Sequence, residues 1–539
     1  MWILLPLAGG YIAASFLPAV PVLAPAGASV IFAAAGIVAS YSSHRHSRLA
    51  WAVLFIIGAS LCGCAYHLLQ SDPSLPHWRT LPPREAVVDM RVLKRFDSSD
   101  RYGRVSGVAR ITRTRAHLAD LVGHKVFFRL NPRDTTRQPT RSDVLQVRGV
   151  LTYLDALPDS DSFSDFLRQS DVHLSIQRGA ILREDQSPHP LFHLCRNLAG
   201  QFETILRLGG ETHPEYANIY VAMLLGRKSV LSREQKDRYL ASGTMHLFAI
   251  SGLHVGVVAI TLSAFFTLLR LPSKLSATIA LSLLFFYVVI TGAAPSAIRA
   301  YLMVFFYWTS RAFLRQPAPF SALVASAIAV LILDPSEIRS AGFRLSYSVV
   351  AAILLYGVPL ADTLTMRIEP FAGLPPQNWT RLHKFAVNRM RNIAALFSIS
   401  LAAILASTPL TIHYFEIFTP GALFLNMVLV PLASLLVTCG VISLLLGITQ
   451  LPIIAEFLNH SAWVVLSLMD ALIRISVKIP GYFSERQFLH PFLGPLLLVV
   501  LLAIFLFGNV HAPAVRKWRF AIAPSVLLAA VALATTGTG

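Results

Sequence analysis

The chain has 539 residues, 55% of them hydrophobic and only 14% charged, with a mean hydropathy of +0.59. That balance excludes a soluble globular enzyme and defines a polytopic α-helical membrane protein. The net charge of +18 is carried in loops and one polar insert rather than in the apolar runs, a distribution that suits lipid headgroups or a polyanion.

The N-terminal part, 1–72, contains three apolar runs, Trp2–Val20, Val22–Ser40 and Leu49–Leu69. Each is near the ~20 residues that cross a ~30 Å hydrocarbon layer. The first has no basic n-region and is followed at once by further apolar runs, so it reads as an uncleaved span and not a signal peptide. Cys62, Cys64 and Cys439 lie in apolar runs and Cys195 is isolated, which predicts neither a disulfide framework nor a zinc ribbon.

Residues 77–188 form a polar insert. Between Arg79 and Arg148 there are 16 Lys and Arg against 7 Asp and Glu, a surplus of 16 − 7 = 9 positive charges. Alternating segments at Val87–Arg95, Val105–Thr112, Lys125–Leu130, Val144–Leu151 and Val172–Leu182 are bounded by Gly, Pro, Asn and Asp. Five such strands with a helical interval at Ser162–Gln169 predict a small all-β barrel of the OB type. Phe96, Tyr102, Phe127, Phe128 and Tyr153 either supply stacking faces beside the basic side chains or form the barrel core.

In 189–210, Leu191, Leu194, Leu198, Phe202, Ile205 and Leu206 fall on one face, the pattern of an amphipathic helix. It either lies along the membrane surface or packs on a neighbouring domain. The segment 211–508 carries the main transmembrane block and 509–539 a last helix. The total expected is about 12–13 spans. With Arg45 and Arg48 cytoplasmic, parity brings the basic loops at Arg270/Lys274, Arg311/Arg315, Arg367–Arg391 and Arg516–Arg519 to the same side. The insert is then extracytoplasmic. This holds if Ala422–Leu446 crosses once, although Asn426 and Pro431 within it also suit a broken or re-entrant segment.

Met245 to Val257 reads MHLFAISGLHVGV and sets His246, Ser251 and His254 in a run otherwise suited to lipid. Polar groups at that depth need partners and normally face a bundle interior or a wet cavity. Gly243, Gly252 and Gly256 permit close packing or a helix break, so the stretch reads as the lining of a translocation path. On a continuous helix His246 and His254 share a face about 12 Å apart, too far for one metal site. Ser251, three residues before His254, admits an intramembrane Ser–His hydrolase, but Ile250-Ser-Gly-Leu has no strained-elbow signature. Gly226-Arg-Lys-Ser229 lacks the upstream glycine of a phosphate-binding loop, so no ATPase motif is assigned.

The segment EYANIYVAMLLGR from Glu215 to Arg227, the stretch from Ser242 to Gly256 with its HLFAISGLHVG, Ser296-Ala-Ile-Arg299, Asp334-Pro335, Gly342-Phe-Arg344-Leu-Ser346 and Asn426 through Pro431 follow one another in order. Over roughly Arg79 to Gly508 the chain resembles the ComEC family of competence DNA-uptake channels. The resemblance implies a channel that passes one strand of DNA across the inner membrane, with an extracytoplasmic OB-like domain. Implied partners are single-stranded DNA, a periplasmic DNA receptor, a separate nuclease for the other strand, a cytosolic ATPase or single-strand binding protein, and the bilayer. Many members end in a metallo-β-lactamase-like domain, whose HxHxDH cluster is not found here, so the expectation is a short form with no catalytic role, no metal and no cofactor.

The expected path or lining residues are His246, Ser251, His254, Arg299, Arg344, Ser346 and Asn426. Arg299 and Arg344 are the candidate phosphate contacts, with interfacial snorkelling as the alternative. Glu215, Arg227, Gly252, Asp334 and Pro431 are expected to be structural or gating, Glu215 and Arg227 as an ion pair or at the entrance. The competing class is a transporter or flippase of another envelope solute on the same helices. A third reading is a non-conducting remnant that keeps only assembly contacts.

Overall fold

The computed structural model describes residues 3–16, 22–40, 45–70, 76–96, 104–131, 139, 141–154, 162–185, 190–227, 230–248, 250–313, 317–368, 370–371, 378–449, 451–508 and 519–537. Three helices, α1 (Leu4–Phe16), α2 (Leu23–Ser40) and α3 (Arg45–Gln70), lead into strands β1 (Arg84–Phe96), β2 (Val105–Thr114), β3 (Lys125–Leu130) and β4 (Val144–Tyr153). A short helix, α4 (Ser162–Gln169), precedes β5 (Leu174–Asp185). Then come α5 (Pro190–Leu206), α6 (Pro214–Leu225), α7 (Arg233–Ala241), α8 (Gly252–Leu268), α9 (Ser273–Ile290), α10 (Pro295–Phe313) and α11 (Pro319–Leu333). The remainder is α12 (Ala341–Ala352), α13 (Val358–Arg367), α14 (Arg381–Phe415), β6 (Ile417–Phe418), α15 (Ala422–Ile448), α16 (Pro452–Val477), β7 (Ser484–Phe488), α17 (Leu493–Phe507), α18 (Arg519–Ala534) and β8 (Thr535–Gly537).

Among the described residues six helical stretches are long and apolar enough to cross a membrane: Trp51–Gln70, Ser273–Ile290, Ala341–Arg367, Arg381–Phe415, Ala422–Ile448 and Pro452–Val477. Shorter apolar helices occupy Leu4–Ala14, Leu23–Ala35, Gly252–Leu268, Pro319–Leu333, Leu493–Phe507 and Phe520–Ala534. The stretch Ala341–Arg367 runs through α12 and α13 across a π-helical turn at Ile353–Gly357.

The chain forms two units, one of Met1–Arg196 with Val324–Phe343, the other of Asn197–Leu323 with Arg344–Gly539. In the first, α3 packs on α1 and α2. A methyl on Gly63 would sit 2.6 Å from the Leu7 carbonyl oxygen, so only glycine lets these two backbones meet. The five strands close into a barrel in the order β1-β2-β3-β5-β4, with β4 returning to β1. All pairs are antiparallel except β3 with β5. The period-2 alternation turns Val88, Met90, Val92, Ile111, Leu145 and Val147 inward, every one of them buried.

The expected strands are therefore present, with one shift. The fifth begins at Leu174 and not Val172, because Val172 donates its N–H to the Leu167 carbonyl (3.0 Å) to finish α4, and Asp171 turns the chain at φ +57°. Phe127, Phe128 and Tyr153 are core residues, which settles the two alternatives for them in favour of packing. Tyr102 lies outside the described residues. The Asp171 carboxylate is paired with Arg339, in the short turn after α11. Tyr66 donates to the Ile332 carbonyl (2.5 Å) and Tyr11 to that of Leu331 (3.3 Å), so the ends of α3 and α11 adjoin.

The second unit has two apolar clusters. One joins α6 to α10 with α15 and α16; the other joins α12, α13, α14, α17 and α18. Strands β6, β7 and β8 form one small sheet, which brings the end of α14, the start of α17 and the end of α18 to a common level. Beneath it Tyr482, its phenol pushed up to about 12 by burial, donates to the Ser242 carbonyl (3.2 Å). A methyl on Gly421 would overlap the Tyr482 ring, coming within 2.8 Å of its Cγ. Gly421→Ala is expected to lower stability by about 1–3 kcal/mol, read as an earlier melting transition of the detergent-solubilised protein. An unchanged transition would mean that this ring moves freely.

The amphipathic pattern of 189–210 is α5, and its last turn enters the helical core. Leu206 is fully buried, and Asn459 Nδ2 of α16 donates to the Ile205 carbonyl (2.8 Å) while Asn459 Oδ1 accepts from Ser443 (2.8 Å).

Candidate functional site

The polar residues of MHLFAISGLHVGV stand at a break in the helical core, the second of the two outcomes that the glycines permit, so the spacing of His246 and His254 on a continuous helix does not apply. Met245–Leu247 is a single 3-10 turn, and α8 begins only at Gly252. Gly243 starts the break at φ +71°, a conformation that any side chain would strain. The His246 ring Nδ1 meets the Gly243 carbonyl at 2.9 Å and the residue is exposed, whereas His254 is completely buried. Phe248 stacks on Tyr239 of α7 with 3.9 Å between ring centres.

Ser251 is the N-cap of α8. Its Oγ lies 2.9 Å from His254 Nδ1 and its backbone N–H points at the same nitrogen from 3.4 Å. Nδ1 is therefore the acceptor and the ring proton sits on Nε2. The contact is within reach for activating a nucleophile, but it also closes the first turn of α8 as a side chain folding back on its N-cap does.

Helix α10 starts beside α8. Ser296 Oγ donates to the Ile250 carbonyl (2.6 Å), and a methyl on Gly252 would touch Ala300 at 3.9 Å. One turn into α10 lies Arg299, 4% exposed. The start of α10 thus meets the break at the start of α8, and each helix has a positive dipole end there; the first N–H groups are taken up locally, Ala297 and Ile298 donating to the Ala294 carbonyl (2.9 and 3.0 Å) and Ser251 with His254 closing the first turn of α8. This arrangement is electropositive without a surface charge, and it suits an anionic group.

The other expected residues are distributed through the fold. Arg344 on α12 is half-buried and donates to the Tyr414 hydroxyl of α14 (2.8 Å), with Ser346 half-buried on the same helix. Asn426 is half-buried on α15, and its Oδ1 has no hydrogen-bond partner among the described residues. Pro431 lies inside α15, which runs unbroken over 27 residues, so the broken-helix expectation for this segment is corrected: the proline is absorbed within one long helix. Asp334 caps the turn Pro335–Arg339, accepting from Ser336 N–H (3.0 Å) and Oγ (2.6 Å).

The expected ion pair of Glu215 with Arg227 is also corrected. Arg227 pairs with Glu203 of α5, which holds Arg207 as well (3.0 Å), while Glu215 is exposed at the start of α6. Helix α6 intervenes and keeps Glu215 and Arg227 at opposite ends. Sequence reasoning missed Glu203, Asn459 and Asp470. The signals available were Glu203/Arg207 and Asp470/Arg474, both at i,i+4 spacing beside apolar residues.

A helical bundle of this hydropathy carrying an inserted β-barrel defines a multi-pass membrane protein. The family described as "Competence protein" matches residues 223–511, more than half of the chain, and the chain belongs to that family. It is 28% identical over 246 residues to ComE operon protein 3 of Bacillus subtilis (strain 168), a match covering 45% of this chain and 28% of that protein. It is 27% identical over 285 residues to an uncharacterized protein of Aquifex aeolicus (strain VF5), covering 52% of this chain and 60% of that one. The matches therefore span less than two thirds of either relative's length. No solved structure matches the chain.

Proposed function

We propose that this chain is a channel for import of single-stranded DNA across the cytoplasmic membrane during natural transformation. The observation that carries the reading is the meeting of the starts of α8 and α10 at a helix break that holds His246 and Ser251, with Arg299 buried one turn into α10, in a member of the competence family. A strand crossing lipid needs its phosphates offset along the path, and helix ends with a buried cation supply that offset while apolar walls tolerate the bases.

The shorter apolar helices cross the bilayer together with the six long ones. The barrel is an OB fold, a reading supported by its strand order and its parallel β3–β5 pair, and it is extracytoplasmic. Its surplus of basic residues collects the strand before entry. A periplasmic receptor delivers DNA, a separate nuclease removes the other strand, and a cytosolic ATPase or single-strand binding protein draws it in.

The test is uptake of labelled DNA by cells carrying a clean deletion. Loss of cytosolic label on deletion, restored by the wild-type gene, is the expected result. Intact uptake in a transformable strain would overturn the channel and turn the search to another envelope solute.

A further inference from the structure

Packing of α4 on the barrel buries Phe127 but leaves two aromatic rings of that helix in the open. Phe96 at the end of β1, Phe127 of β3 and Phe163 and Phe166 of α4 form a four-ring cluster with centres 5.4–6.2 Å apart. Phe127 is buried, but Phe163 and Phe166 are 41% and 40% exposed on an eight-residue helix. Lys94 Nζ lies 5.5 Å from the Phe96 ring centre and 5.9 Å from that of Phe166, and the Arg129 guanidinium lies 5.8 Å from that of Phe127.

We propose that Phe96, Phe163 and Phe166, seated on the buried Phe127 and with Lys94 and Arg129 beside them, are a stacking platform for a single strand of nucleic acid. The inference rests on the barrel's role proposed above and names its site. In a five-stranded barrel of this order, oligonucleotides lie across the β2–β3 face between the β1–β2 and β4–β5 connections. Phe96 opens the first connection, α4 is the second, and Phe127 stands on the face between them. The cluster offers what a single strand requires: open ring faces for bases and cations beside them for phosphates.

A bilayer anchor is the competing occupant of an exposed aromatic pair. Lys94 argues against it, because sinking Phe96 and Phe166 into acyl chains would carry the ammonium above them into hydrocarbon. The platform also lies on the part of the barrel held by the Asp171–Arg339 pair, close in sequence to the end of α4 and joined to the turn after α11. A strand stacked there is kept near the membrane-embedded helices of the same unit.

The experiment uses the full chain in lipid nanodiscs and a fluorescent oligo-dT of about 16 nucleotides. Phe163→Ala and Phe166→Ala are each expected to weaken binding about fivefold to a hundredfold while leaving the salt dependence unchanged. Lys94→Gln is expected to lower the slope of log K against log salt by about 0.7. Phe166→Trp, read against the wild-type tryptophan background, is expected to retain binding and change its emission on addition of oligo-dT.

Wild-type binding that survives both alanine variants would overturn the platform and leave the channel standing. A wild-type protein inert to oligo-dT would overturn the barrel's role itself. Quenching of the Phe166→Trp signal by brominated lipid, with no response to oligo-dT, would make the cluster a membrane anchor and overturn the platform.

Discussion

Asp470→Ala is expected to destabilise the protein by about 3 kcal/mol, the low end for breaking a buried ion pair. The Asp470 side chain on α16 is only 7% exposed. It accepts from Arg238 of α7 (3.2 Å), from Arg474 one turn along α16 (2.6 Å), and from the Tyr239 hydroxyl (3.4 Å). Arg238 is itself mostly buried, and without the carboxylate it keeps only the exposed Glu234 as an ionic partner (2.6 Å). Helix α7 is polar and has a single buried residue, Tyr239, so it depends on this anchor to stay seated beside the break.

The check is thermal melting of the detergent-solubilised protein. Arg474→Ala should cost no more than about 1 kcal/mol, since that guanidinium is 54% exposed. Replacing Asp470 and Arg238 together with leucines should recover part of the loss, because it removes both buried charges, while the exposed Arg474 and Glu234 turn to water and only the Tyr239 hydroxyl loses a buried acceptor. A melting transition unchanged in Asp470→Ala would show that α7 is held by apolar packing alone.

If the proposed channel runs past α12, Arg344→Ala is expected to lower DNA uptake about tenfold to a hundredfold, the effect of losing one charge-assisted hydrogen bond to the strand. Arg344 is half-buried and donates to the Tyr414 hydroxyl, which holds the guanidinium in place. Arg344→Lys should retain part of the uptake, because the charge remains and the fork geometry is lost. Tyr414→Phe separates position from charge: uptake should fall less than in Arg344→Ala, with membrane levels equal in all strains. Equal uptake by wild type and Arg344→Ala would remove Arg344 from the path and return it to interfacial packing.

The barrel was legible because one buried face per strand imposes a period of two. Alternation in Val144–Tyr153 needs no tertiary information, and Ser162–Gln169 is predicted and observed as the same helix. The apolar block was legible because its length and hydropathy exceed anything a soluble core uses. The site was legible only as a stretch. HLFAISGLHVG identifies polar residues in a lipid-like run, but the pattern is equally compatible with a continuous helix and with the break that exists.

Composition and period alone determined the membrane character, the five strands and the helix between the last two, since burial and hydrogen-bond closure act locally along the sequence. Partner choice was decided by tertiary structure. Arg227 selects Glu203 over Glu215 because α6 separates the latter pair, and Asn459 selects the Ile205 carbonyl, 254 positions away. Pro431 lies on an exposed face of α15 and leaves the helix whole, an outcome its local sequence does not dictate. A hydrogen bond or ion pair is a statement about distance in space, and sequence separation carries no information about that distance once the chain has turned between the two groups.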